Sequence, residues 1–158
     1  MTTDVIDKIQ LGGYELICEI GHGNTGRVFY AIQQSLRRAV ALKVLSEDLS
    51  KDKSYVDMFF HEARTVAQLS HPNIVRAYDV GHTRSDHFYF SMELVEGEDV
   101  SVKIKDEGKL GWRQSLEWLK KISEALDYGV RARGLTHGDI KPANIVITHK
   151  GEVKLADL

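Results

Sequence analysis

The chain has 158 residues, 42% of them apolar and 28% charged, and its 21 lysines and arginines against 23 aspartates and glutamates give a formal net charge of −2. This is a soluble globular composition with enough apolar material for a core, and the near balance of charge excludes a general electrostatic affinity for nucleic acid or anionic membrane. The single cysteine, Cys18, excludes an intrachain disulfide framework and a multi-cysteine zinc site, and fits a reducing, cytoplasmic setting. The first ten residues, MTTDVIDKIQ, lack the apolar run of a signal peptide. The most apolar stretch, residues 39–45, is interrupted by Lys43 and is too short to span a bilayer.

Residues 1–12 carry little pattern and read as a leader. From 14 to 20, apolar Tyr14, Leu16, Ile17, Cys18 and Ile20 mix with single polar residues, as in a strand. A glycine cluster follows at 21–26. Residues 28–32 and 39–45 read as two more strands, rich in β-branched and aromatic side chains, with 34–38 as their connection. The polar stretch 46–53 reads as a loop. Helical spacing of Val56, Phe59, Phe60, Ala63, Val66 and Ala67 predicts a helix over 54–69, and Pro72 is a natural stop. Residues 74–80 and 88–95 read as strands joined by the polar turn 82–86. Five strands and one helix by residue 95 predict an α+β grouping around an antiparallel sheet.

Beyond Gly97, read as a linker, the character changes. A weak helix is expected over 99–106 and a longer one over 112–132, its apolar face formed by Leu116, Leu119, Ile122, Ala125 and Leu126, with Gly134 at its end. Residues 135–144 form a loop containing Pro142, and 145–148 with 152–156 a hairpin. There is no internal repeat and no low-complexity segment.

Five constellations bear on chemistry. The first is Gly21-x-Gly23-x-x-Gly26-x-Val28: glycines at this spacing let backbone amides approach phosphate oxygens without Cβ obstruction. Alone it is equally an ordinary glycine-rich turn. A dinucleotide-binding fingerprint would need a helix straight after the glycines, whereas a strand follows, and no window supplies a P-loop. The second is Lys43, inside a strand with apolar neighbours, where a lysine needs either a solvated face or a partner. The third is Glu62 in the following helix, a candidate partner for Lys43 and otherwise a solvated helix charge. The fourth is the run Thr136-His137-Gly138-Asp139-Ile140-Lys141-Pro142-Ala143-Asn144, in which an aspartate could accept a hydroxyl proton and an asparagine could hold a metal through its carbonyl oxygen. The fifth is Asp157 at the end of a strand, a carboxylate suited to Mg²⁺.

Taken in order and in context, the glycine loop 21–28, Val40-Ala41-Leu42-Lys43, Glu62, His137-Gly138-Asp139 through Asn144, and Asp157-Leu158 resemble the N-terminal part of a eukaryotic-like protein kinase. His71-Pro72-Asn73-Ile74-Val75 and Met92-Glu93-Leu94-Val95-Glu96-Gly97 are similar to the same family, and Asp139 through Asn144 to its serine/threonine branch, with a bacterial texture. The resemblance implies a five-stranded antiparallel N-lobe with one helix over 13–95, then a hinge and a partial helical C-lobe over 96–158. It implies ATP and Mg²⁺ as cofactors and a Ser/Thr-bearing protein as substrate. Gly21, Gly23 and Gly26 would cover the phosphates, and Lys43 would hold them while paired with Glu62. Val28, Ala41 and Val146 would sandwich the adenine, the backbone of Glu93 through Val95 would bond its edge, and Met92 would guard the pocket. Asp139 would orient or deprotonate the substrate hydroxyl with Lys141 stabilising transferred charge, and Asn144 and Asp157 would bind the metal.

Two residues depart from the family's pattern: Gly138 stands where an arginine is usual, and Leu158 where a phenylalanine is usual. The first removes a cation that often reads a phosphorylated activation loop. The family's activation loop and later helices do not follow, so the chain reads as truncated, inactive by itself and prone to self-association. The rival reading is a non-catalytic nucleotide-binding or interaction module on the same fold.

Overall fold

A computed structural model of the chain describes residues 11–83 and 87–157. Most of the expected leader, the tip of the 82–86 turn and Leu158 lie outside the described residues. The described chain falls into two units. The first takes in the residues up to Ala67 and then Ala77–Leu94, and the second takes in Gln68–Arg76 and then the residues from Val95 onward.

In the first unit β1 (Tyr14–Gly23), β2 (Gly26–Gln33), β3 (Arg38–Leu45), β4 (Ala77–His82) and β5 (Phe88–Glu93) form one sheet in the order β1-β2-β3-β5-β4, every neighbouring pair antiparallel. β3 is central and buried on both faces from Val40 to Leu45, which is why it reads as a nearly continuous apolar run. One face collects Phe29, Ala31, Val40, Leu42 and Val44 into a core closed by Leu11 and Tyr14, with Leu16, Tyr78 and Tyr89 packed against it. Phe29, Val40 and Leu42 are fully buried, and each contributes roughly 1.5–3 kcal/mol.

The stretch 46–53, expected as a loop, instead contains the short helix α1 (Glu47–Ser50). Ser46 caps it, its hydroxyl accepting from Leu49 N at 3.4 Å, and Glu47 and Asp48 supply the acidic first turn. α2 (Lys53–Ala67) follows, burying Phe59, Ala63 and Val66 at steps of four and three. The strand expected over 74–80 is split. β4 begins only at Ala77, while Ile74 makes a parallel bridge to Leu155 within the second unit. Ile74 and Val75 are buried there, so their apolar character serves a different sheet from that of β4.

The second unit holds β6 (Gly97–Asp99), β7 (Ile145–Thr148) and β8 (Val153–Leu155) as an antiparallel sheet in that order. Gly97, expected as a linker, opens β6. Asp99 caps α3 (Val100–Glu107), accepting from Ser101 N at 2.8 Å and Val102 N at 3.0 Å. α4 (Trp112–Arg133) ends at Gly134 in the left-handed conformation, φ 66°. Its buried stripe is Trp118, Ile122, Ala125 and Gly129. The expected apolar face is therefore divided: Ile122 and Ala125 are covered, whereas Leu116 and Leu119 are 56% and 55% exposed, in line with exposed Trp112 and Val130. The bulky Trp118, 6% exposed, lies on the covered stripe. Among the described residues, no helix is long and apolar enough to cross a membrane.

Candidate functional site

In the first unit, β1 and β2 are joined by Asn24 and Thr25 alone, so the glycine cluster is a tight hairpin in which Gly23 pairs with Gly26. A Cβ at Gly26 would lie 2.0 Å from the Val44 carbonyl oxygen, so the sheet itself requires glycine there. A Cβ at Gly23 would meet nothing within 4 Å. Gly23 is exposed, and its bare backbone suits close approach by a ligand oxygen.

Cross-strand partners point to the same side of a sheet. Gly21 pairs with Val28, Val28 with Lys43, and Ala41 with Met92. Gly21, Val28, Ala41, Lys43 and Met92 therefore share the face opposite the Phe29–Leu42 core. Lys43 is only 7% exposed, and its Nζ lies 3.8 Å from Oε1 of Glu62 on α2. Glu62 follows the helix's inward stripe, one residue before Ala63 and three after Phe59, which places its carboxylate beside the buried lysine. Glu93 ends β5 and is half-buried.

In the second unit, Asp139, Lys141 and Asn144 come together around the turn Pro142–Asn144. The Lys141 ammonium donates to Asp139 Oδ2 at 2.6 Å. Asn144, buried, donates from its amide nitrogen to the Asp139 carbonyl at 2.9 Å and lies 3.5 Å from the carboxylate. The Lys141 hydrogen bond is the chief cause holding the Asp139 carboxyl below the usual carboxylate range, and the same bond raises Lys141. His137 Nε2 donates to the Ala156 carbonyl at 3.1 Å, while its Nδ1 accepts from Asp139 N at 3.4 Å. These two bonds together set the ring's tautomer. Gly138 between them has φ 76°, a conformation that costs an L side chain.

Ala156 N donates to the Asn144 carbonyl at 2.9 Å, and the next residue is Asp157. The backbones of Asn144 and Asp157 are thereby held in register. An amide oxygen and a carboxylate are hard donors that fit Mg²⁺, which takes one or two carboxylates and completes its shell with phosphate oxygens and water. Among the described residues no group of three or more His, Cys, Asp or Glu could hold a metal. Val146 on β7 pairs with Asp99 and Lys154, and Val95 precedes β6; both are half-buried in this unit. The spacing of residues did not single out His137 for its bond to Ala156, nor Asn73. His137 could have been suspected from its place beside Asp139. The partner of the Asn73 side chain, Val153, lies 80 residues further on, and no local pattern announces it.

The family model for the protein kinase domain matches residues 14–158. The serine/threonine-protein kinase PknA of Mycobacterium tuberculosis is 39% identical over 150 residues, covering 92% of this chain and 35% of that protein. The serine/threonine-protein kinase PrkC of Bacillus subtilis is 35% identical over 153 residues, 97% of this chain and 23% of that protein. Among solved structures, the Mycobacterium tuberculosis PknI kinase domain superposes with a TM-score of 0.82 at 30% identity, over 94% of this chain and 60% of that one. The chain thus spans little more than a third of PknA and less than a quarter of PrkC.

Proposed function

The chain belongs to the protein kinase domain family, and on that premise we propose that it carries the ATP-handling and catalytic-loop part of an enzyme that phosphorylates serine or threonine in protein substrates. The observation that carries this is Lys43: a lysine buried in a sheet is costly unless paired and used, and this one is paired with Glu62 on the face that also presents Gly21 and Val28. Lys43 holds the α- and β-phosphates while the glycine hairpin covers them with backbone amides. Val28, Ala41, Met92 and Val146 line the adenine, and the backbone of Glu93 through Val95 bonds its edge. ATP supplies the phosphoryl group. Asp139, kept ionised by Lys141, orients the substrate hydroxyl and accepts its proton, and Lys141 offsets charge on the group in transfer. Asn144 and Asp157 hold Mg²⁺, which neutralises phosphate charge.

A non-catalytic nucleotide-binding module is less well supported, because Lys43, Glu62, Asp139, Asn144 and Asp157 are all present. Calorimetric titration of the chain with Mg²⁺-ATP tests the assignment. Weak binding is expected, weakened further by Lys43→Ala and by Asp157→Ala. An affinity that neither substitution changes removes both residues from the site. The exposed Cys18 suits a reducing, cytoplasmic setting. The exposed stripe of Trp112, Leu116, Leu119 and Val130 on α4 supports self-association of the 158-residue chain.

A further inference from the structure

We propose that Asn73 is a positioning residue that sets the place of Asp157. The proposal rests on the reading of Asp157 as a ligand of Mg²⁺. It starts from β8, a strand of three residues whose end leads through Ala156 straight into Asp157. One edge of β8 is paired with β7. The other edge is occupied by the short segment that connects α2 to β4. Leu155 N donates to the Asn73 carbonyl at 2.8 Å, and Val75 N donates to the Leu155 carbonyl at 2.9 Å. The Asn73 amide donates to the Val153 carbonyl at 2.7 Å. Residues 73–75 thus act as a parallel fourth strand, with the Asn73 side chain gripping β8 two residues before the backbone bonds do.

The grip is itself braced. Asn73 N donates to His71 Nδ1 at 3.1 Å. The His71 ring lies 5.3 Å from that of Tyr128 on α4, and Ser70 N donates to the Tyr128 hydroxyl at 3.2 Å. On the far side, Ala156 is held by the Asn144 carbonyl and by His137. Asp157 therefore leaves a strand clamped upstream by Asn73 and downstream by the catalytic loop. A hydrogen bond that fixes the support of a metal ligand commonly sets metal affinity about tenfold or more without touching the metal. The Asn73 amide fits that description for Asp157 and touches none of the residues assigned to the nucleotide.

The discriminating property is the response to Mg²⁺. ATP affinity of the 158-residue chain would be measured by calorimetry in Mg²⁺ and in EDTA, for the wild type, Asn73→Leu and Tyr128→Phe. Asn73→Leu keeps the volume and removes the amide. It is expected to lose most of the gain in affinity that Mg²⁺ brings, about tenfold, with affinity in EDTA unchanged. Tyr128→Phe keeps the ring against His71 and removes the hydroxyl, so it should show a smaller loss in the same sense; it decides the matter if Asn73→Leu does not melt cooperatively. Equal losses in both media would mean a general structural role and would overturn the proposal. So would a Mg²⁺ response abolished by Asp157→Ala but intact in Asn73→Leu and Tyr128→Phe. A wild-type affinity identical in both media would overturn the assignment of Asp157, and this proposal with it.

Discussion

Asp139 and Lys141 are two residues apart on a loop, and both are exposed, so their contact adds little to stability; its consequence lies in protonation. The ammonium at 2.6 Å favours the carboxylate and holds Asp139 below the usual range. A group with a lowered folded pKa contributes stability above its unfolded value and loses it as pH falls through the folded one. The window is thus acidic, and at neutral pH Asp139 is ionised. Lys141→Met removes the main cause. The Asp139 midpoint, followed by carboxyl-carbon NMR, is expected to move up toward the ordinary value. A midpoint that stays where it was would show that Lys141 is not the source of the shift.

At the scale of elements, the glycine hairpin separates two demands that one motif merges. Gly26 sits where a Cβ would meet the Val44 carbonyl at 2.0 Å, and Gly23 sits in the open. Gly26→Ala is expected to destabilise the chain by about 1–3 kcal/mol, the range of overpacked sites. Gly23→Ala should leave stability within about 0.5 kcal/mol while weakening ATP binding. Urea unfolding and ATP titration of the two variants check this; equal stabilities would contradict the packing argument. The sheet of the first unit was legible because β2, β3 and β5 carry β-branched and aromatic runs separated by polar turns. Lys43 stood out as a lysine inside an apolar strand, whereas Glu62 reads alone as a solvated helix charge and became its partner through the family resemblance. The division of the α4 face was not legible. Periodicity identifies apolar residues at helical spacing, but Leu116, Leu119, Trp118 and Ile122 form two stripes, and only tertiary packing selects which is covered. Ser46–Ser50 was misread because a single capped turn is too short to show any period.

The molecule as a whole presents that uncovered stripe to solvent. Trp112, Leu116, Leu119 and Val130 are each more than half exposed and lie along one side of a helix of 22 residues. Contiguous apolar surface favours association. Light scattering at several concentrations is expected to show an average mass that rises with concentration, and the double substitution Leu116→Glu and Leu119→Glu should return it to 17.8 kDa. A wild-type chain that stays monomeric at every concentration would defeat this. The two-unit division was less legible than the sheets, because Ile74 and Val75 continue an apolar run that local reading assigns to β4. The same segment bears on how the chain is made. The second unit is discontinuous, since Gln68–Arg76 is separated from the rest of it by β4 and β5. On the ribosome, Asn73 emerges 80 residues before its partner Val153. Until that strand arrives, Ile74 and Val75 have no sheet to join, and a nascent chain ending near Leu94 carries them as an unpaired strand edge. β8 therefore seals an edge laid down before β6 and β7 existed, and a ribosomal pause ahead of β8 would lengthen the time that edge is open to chaperones.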